Sequence, residues 1–248
     1  MVFLIVLLFT SAPLGFSQNL PEWYIPLREA VYEQVLPADA IFPLYQNISG
    51  RVKTSFSGYD QSILLSRCEY MMGRAYLDAE RKTEASVCFE SGMSFARRAL
   101  DARETDEAWV MLAENLSQNI AARSTNTFYV MGNGLKVSEY AEKALSLNPR
   151  NAAAQYMIAA RWVFAPSPFN NIRRGIEMMT AIQTNAEMGK DDTFNVYSAL
   201  GYAYIEQRKS ARNRAAIEEA GNQARVWLNR SLNIYPTNKF VQSLLAQL

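Results

Sequence analysis

Residues 196–204 read VYSALGYAY and residues 69–76 read EYMMGRAY. Leu200, Gly201 and Tyr204 stand in the same spacing as Met72, Gly73 and Tyr76: a bulky residue, a small one, then an aromatic three positions on. Two further stretches share it, one with a leucine in the place of the aromatic. In AWVMLAENL the residues are Leu112, Ala113 and Leu116, and in AAQYMIAARW they are Ile158, Ala159 and Trp162. Around each core the apolar residues recur at helical spacing, as in Leu64, Cys68, Met71, Met72 and Ala75, or Trp109, Leu112, Ala113 and Leu116. Each stretch is followed by a second amphipathic segment. Two of those close almost identically, YAEKALSLNPRN at Pro149 and WLNRSLNIYPTN at Pro236. A pattern that returns four times predicts stacked helix pairs, because one pair cannot bury its own apolar face.

The composition agrees. The chain has 248 residues, with only 11 Gly and 9 Pro, and lacks alternating apolar runs bounded by turn dipeptides, so strands are not expected. It contains no histidine, which excludes Ser-His-Asp and Cys-His catalysis, HExxH zinc sites and an imidazole pH switch. A net charge of +1 gives no global attraction for nucleic acid or anionic membranes.

At the N-terminus, MVFLIVLLFTSAPLGFSQ carries an unbroken apolar run from Val2 to Phe9, too short to span a bilayer and suited to a signal peptide over residues 1–17, with cleavage expected after Ser17. No Lys or Arg precedes the run, which leaves an uncleaved anchor, a misplaced start or a buried N-terminal helix as alternatives. The expected location is extracytoplasmic, periplasmic or secreted, and the processed chain is not expected to span a membrane. Residues 18–58 hold two helical segments divided by Pro37 and Asp39; they either cap the first pair or lie in the groove of the array. Residues 59–248 form the repeat domain, ending in the capping helix FVQSLLAQL.

The repeated motif resembles the tetratricopeptide repeat, whose pattern is a bulky residue, Leu-Gly, an aromatic, a small Ala, an aromatic and a terminal Pro. The likeness covers roughly residues 62 to 240 and is weakest in the third unit. It implies an all-α, right-handed superhelical array of about four antiparallel hairpins. On that template Gly73, Ala113, Ala159 and Gly201 are small so that the second helix can approach, with Ala85 and Ala224 facing them. The second and fourth units are about a dozen and eleven residues longer than the family spacing, in lengthened helices or hairpin-tip loops, and FAPSPFNN, with Pro166 and Pro168, forms a stiff loop in the third. Long units of this sort are similar to the exported T-components of TRAP-type, substrate-binding-protein-dependent transporters.

The resemblance places the concave surface on first-helix positions: Arg67, Tyr70, Met71 and Arg74; Glu107, Val110, Met111 and Glu114; Tyr156, Met157 and Ala160; Ser198 and Tyr202. The partner- or ligand-binding set is Tyr70, Met71, Arg74, Val110, Met111, Glu114, Tyr156, Met157 and Tyr202, unless this stripe is packed beneath the long insertions. The Lys and Asn that clamp a peptide carboxylate elsewhere in the family do not stand at these positions. Cys68 and Cys88 form a candidate disulfide in an oxidising compartment, the alternative being two apolar thiols. Two cysteines without other ligands cannot make a zinc site, so no metal or cofactor is expected. Asp191–Asp192 and Glu218–Glu219 are adjacent and diverge on a helix, which makes them poor acid–base pairs; Asp192 reads as a helix N-cap. GRVKTS at residues 50–55 lacks phosphate-loop spacing, and Arg208, Lys209, Arg212 and Arg214 read as a solvated face. The expectation is a non-enzymatic scaffold that holds a protein or peptide on its concave face. The resemblance would make that partner a solute-binding protein. The alternative is a carrier for an apolar small molecule; homo-oligomers remain open.

Overall fold

The computed structural model describes residues 20–165 and 168–248. The expected signal segment, its cleavage point and Pro166 lie outside the described residues. After a 3-10 turn at Glu22–Tyr24 come α1 (Ile25–Glu33), α2 (Ala38–Ser55), α3 (Gly58–Asp78), α4 (Lys82–Ala102), α5 (Asp106–Ala122) and α6 (Thr127–Leu147). The chain continues with α7 (Ala152–Phe164), α8 (Ile172–Asn185), α9 (Lys190–Ser210), α10 (Arg214–Leu232) and α11 (Lys239–Leu245). Among the described residues the fold is all-α, with no strand and one isolated bridge between Asn151 and Glu187. None of the described helices is long and apolar enough to cross a membrane.

The helices begin where short polar side chains cap them. Thr105, Asn126, Asn151, Asn171, Asn213 and Asn238 each accept the backbone N–H three residues on, satisfying a donor that the first turn leaves without an intrahelical partner. At α9 the helix starts three residues earlier than Asp192 as an N-cap requires. Gly189 is the N-cap, and Asp192, in the third helical position, turns its carboxylate back to accept the Gly189 N–H at 3.0 Å.

Four antiparallel pairs, α3/α4, α5/α6, α7/α8 and α9/α10, pack in chain order. Within a pair, close approach depends on the absent side chain predicted from sequence. A methyl group at Gly73 would lie 2.5 Å from the Phe89 ring, and one at Gly201 would strike Leu228. Ala85, Ala113, Ala159 and Ala224 are fully buried. The extra length of the second and fourth units goes into helix: α6 and α9 each run 21 residues, and the linkers before α6 and α10 are short. In the third unit α7 is cut to 13 residues before the loop containing Pro168.

First helices touch one another along the array, α3 with α5, α5 with α7 and α7 with α9, while no two second helices approach comparably. The array therefore curves with its first helices inside. At its ends, α2 packs on α3 and α11 packs on α10 and α9. The helix before α2 does something different. Tyr24, Leu27, Val31 and Tyr32 are buried, and α1 packs on α3 while its polar side chains reach α9 and the segment before α11. The described part of this segment, residues 20–58, thus divides: α2 covers the outer end, and α1 crosses the inner face from the first unit to the last.

Candidate functional site

The crossing is held at both ends. On the α3 side, Tyr24 Oη donates to the Arg67 carbonyl at 3.3 Å and Gln34 Nε2 donates to Asp78 at 2.7 Å. On the far side, Glu29 receives Lys190 at 2.7 Å, Asn238 Nδ2 donates to the Tyr32 carbonyl at 2.7 Å, and Thr237 bonds Glu33. Gln34 closes α1 in the left-handed region at φ 54°, and there its Oε1 accepts the N–H groups of Lys239 and Phe240. The Tyr32 ring is the centre of the closure. It stacks on Tyr235 at 4.7 Å, meets Phe194 edge-on at 5.4 Å, and carries the Arg74 guanidinium 4.3 Å from its centroid.

Beneath α1 a cavity of about 100 Å³ remains, its walls part polar and part apolar. It opens where the first turns of α5, α7 and α9 meet, at Asp106–Glu107, Ala152–Ala153 and Lys190–Asp192. The rim is tied together. Asp106 accepts Asn148 and Asn151, each at 2.8 Å, which fixes α5 to the linker before α7. Arg150 pairs with Glu187 at 3.1 Å, and its carbonyl accepts the Glu187 N–H, which fixes that linker to the one before α9.

Deeper in, Arg67 grips Glu107 through Nε at 3.0 Å and Nη2 at 2.6 Å, and Tyr59 donates to the other carboxylate oxygen at 3.4 Å. Burial opposes the Arg67 charge, but the adjacent Glu107, together with Tyr24 and Glu114, outweighs it and holds the guanidinium above its ordinary range. Asp191 accepts the Tyr235 hydroxyl at 2.7 Å and stands 3.7 Å from Arg28. Burial raises both Asp191 and Asp192, against the hydrogen bonds that favour their charged forms. Glu114, about two helical turns beyond Glu107 on α5, differs from all of these. Among the described residues its carboxylate has no hydrogen bond and no ion pair, and it lines the cavity. Burial pushes it up to about 7; Arg67 and Arg74 pull it down and Asp192 and Asp191 push it further up.

Seven of the residues that the sequence placed on the concave surface line this cavity together: Arg67, Tyr70, Met71, Glu107, Val110, Met111 and Glu114, five of them from the binding set. Arg74 and Tyr156 stand beside it, Arg74 over the rings of Tyr32 and Tyr70. Met157 is not with them, being buried among Val110, Ala113, Ala141 and Ala154 where α5, α6 and α7 pack. Tyr202 is also elsewhere, stacked at 5.1 Å on Phe164 near the far end of α7. Sequence reading missed Tyr24, Arg28 and Tyr32, because they arrive on α1 and the turn before it, from outside the repeats. It missed Lys190 and Asp191 because they belong to the first turn of α9 rather than to the template positions. The candidate disulfide is not formed. Cys68 and Cys88 are free thiols, Cys68 buried in the main core and Cys88 turned toward the Glu69 carboxylate. Burial pushes both up to about 12, with Glu69 adding to it, so neither is an activated nucleophile.

Compared with known proteins, the chain matches no family model and has no detectable relative among curated proteins.

Proposed function

We propose that this chain is a non-catalytic helical scaffold that captures a protein or peptide partner, and that it does so at the mouth between α1 and the first turns of α5, α7 and α9. The observation that carries this reading is the path of α1. An open concave groove would suit a whole amphipathic helix, but α1 and the turn before it take that place with four buried side chains and leave a lined opening at one end. Such an opening admits a side chain or a chain terminus and lets the rest of a partner rest on the rim. A bare sequence of polar first turns would not need the ties between Asp106, Asn148, Asn151, Arg150 and Glu187; those ties make the rim rigid, which lowers the ordering cost of binding.

The alternative, a carrier for an apolar solute, has less support: pockets for such solutes are lined mainly by apolar side chains, and this one is small and bordered by ten charged residues. Catalysis has none, since the sequence lacks histidine and the thiols are held protonated. Kinship with the tetratricopeptide repeat and action outside the cytoplasm belong to the same proposal, resting on the four-fold hairpin pattern and the apolar N-terminal run.

The test is a display selection of random peptides on the full chain, followed by binding to an Ala153→Trp variant, which plugs the mouth without touching the core beneath Tyr32. Enriched peptides should lose at least tenfold in affinity to the variant. Peptides that bind both proteins equally would place recognition on another face.

A further inference from the structure

We infer that the cavity beneath α1 is a receptor for a primary ammonium group, with Glu114 as its acceptor. The inference rests on the reading above and supplies the chemistry that the partner must present at the mouth.

What singles out this site is the state of its charges. The cations on the wall are paired, Arg67 with Glu107, Arg150 with Glu187, and Arg28 and Lys190 with Glu29; of their buried nitrogens the Arg28 Nε alone lacks a hydrogen bond among the described residues, 3.7 Å from Asp191. An anionic ligand would find one open donor, the Arg28 Nε, and would meet the Asp191 carboxylate 3.7 Å from it; any other donor would require breaking a pair. The carboxylates are not matched in the same way. Asp106 has two amide donors, Asp191 a hydroxyl and a distant guanidinium, Asp192 a backbone N–H, and Glu114 none among the described residues. The wall carries six carboxylates and four cations, so the interior is left with excess negative charge that a cationic guest would neutralise.

A divalent metal ion does not fit this arrangement. Ca²⁺ needs six or more oxygen ligands, and the described residues hold no group of three or more side chains placed to bind a metal. A planar guanidinium is matched best by a carboxylate that presents both oxygens to its fork, whereas an ammonium is a compact point charge. A cavity of about 100 Å³ holds roughly three waters' worth of liquid volume, enough for an ammonium and a few methylenes. Met71, Val110 and Met111 supply apolar wall for those methylenes. The energetics agree with a functional origin. Glu114 is half-buried, and a carboxylate drawn partly out of water without a partner costs folding free energy that a bound cation would recover.

The ammonium has two sources, a lysine side chain of a peptide or a free alkylamine. Isothermal titration of the full chain at pH 8 uses three probes: n-butylamine, a blocked alanine pentapeptide with a central lysine, and the same peptide with that lysine acetylated. The expected result is binding of the lysine peptide, weakened roughly 10- to 100-fold by acetylation or by Glu114→Gln, the loss of one charge-assisted hydrogen bond. Glu114→Asp, which keeps the charge, should retain part of it. Butylamine binding as tightly as the peptide assigns the site to free amines; much weaker binding assigns it to lysine. If neither amine binds, or if acetylation and Glu114→Gln change nothing, the inference is overturned. Lysine-free peptides that still lose affinity to Ala153→Trp would leave the mouth as a peptide site and remove only its ammonium chemistry.

Discussion

The inner face beneath α1 and the outer face of α6 reverse the usual placement of side chains. Under α1, Arg67, Glu107, Glu114, Asp191 and Asp192 are largely withdrawn from bulk water. On α6, Phe128, Met131 and Leu135 are 91, 76 and 66% exposed, and their spacing puts them on one side of the helix. Charge has been drawn in where the chain spends structure to enclose it, and apolar surface has been left out where the neighbouring unit is short. Each is costly for a different reason. The first costs desolvation, offset by pairing; the second leaves hydrophobic area without a partner, because α7 ends after 13 residues beside a helix of 21.

If the inner face is a closed structure, its aromatic centre should be among the most sensitive places in the molecule. Tyr32→Ala removes a fully enclosed ring from between Tyr235, Phe194 and Arg74 and detaches α1 from the last unit. The expected cost is about 3–5 kcal/mol in denaturant unfolding, the range for deleting a large buried aromatic side chain. A cost below about 1 kcal/mol would mean that α1 merely rests on the array, and the comparison would lose its first half.

How much of this closure was legible in the sequence follows from the range of each contact. The pairing of Gly73 with Phe89 and of Gly201 with Leu228 joins helices adjacent in the chain, so a repeated spacing exposes it. The contacts of Tyr32, Glu33 and Gln34 with residues 237–240 span more than two hundred positions. Helical periodicity says that α1 buries one face; it cannot say against what. The same limit explains Tyr202. It occupies the template position of Arg74, but α1 covers only the Arg74 end of the array, and Tyr202 finds Phe164 instead. Glu114 was legible as a first-helix position facing inward, whereas its lack of a partner depends on where Arg67 and Arg74 are already committed.

The second test concerns charge and has a pH sign. In the folded chain Glu114 titrates at about 7, against the ordinary 4.5 of an exposed Glu. Between those values the native state keeps a proton that the unfolded state releases, so this group's contribution falls as pH rises from about 4.5 to 7 and is level above. Glu114→Gln removes the titration. The variant should match the wild type near pH 4.5 and exceed its stability by about 1–3 kcal/mol at pH 8, because each tenfold change in proton affinity is worth roughly 1.4 kcal/mol and water in the cavity reduces the total. Asp191 and Asp192 are raised as well and titrate in both proteins; because they also act on Glu114, the difference reads Glu114 together with its coupling to them. A variant less stable at pH 8 would show a partnered carboxylate and sink the asymmetry of charges on which the ammonium site depends.

The smallest effect belongs to the outer face. Replacing Phe128, Met131 and Leu135 by serine should change stability by less than about 0.5 kcal/mol per site, because side chains this exposed surrender little contact. The backbone points the same way. Gly132 and Gly134 have no neighbour within 4 Å of an added methyl group, and each glycine costs a helix about 1 kcal/mol relative to alanine. The first turns of α6 therefore gain little from packing, and amide hydrogen exchange should find them the least protected part of the second unit, well below the α3–α4 pair. The later turns carry Ser138, Ala141 and Ala144 into the core and should be protected. A loss of several kcal/mol in the triple variant would mean that this strip is covered in solution, as it would be in a second copy or a partner, and the two faces would then differ in what encloses them rather than in whether they are enclosed.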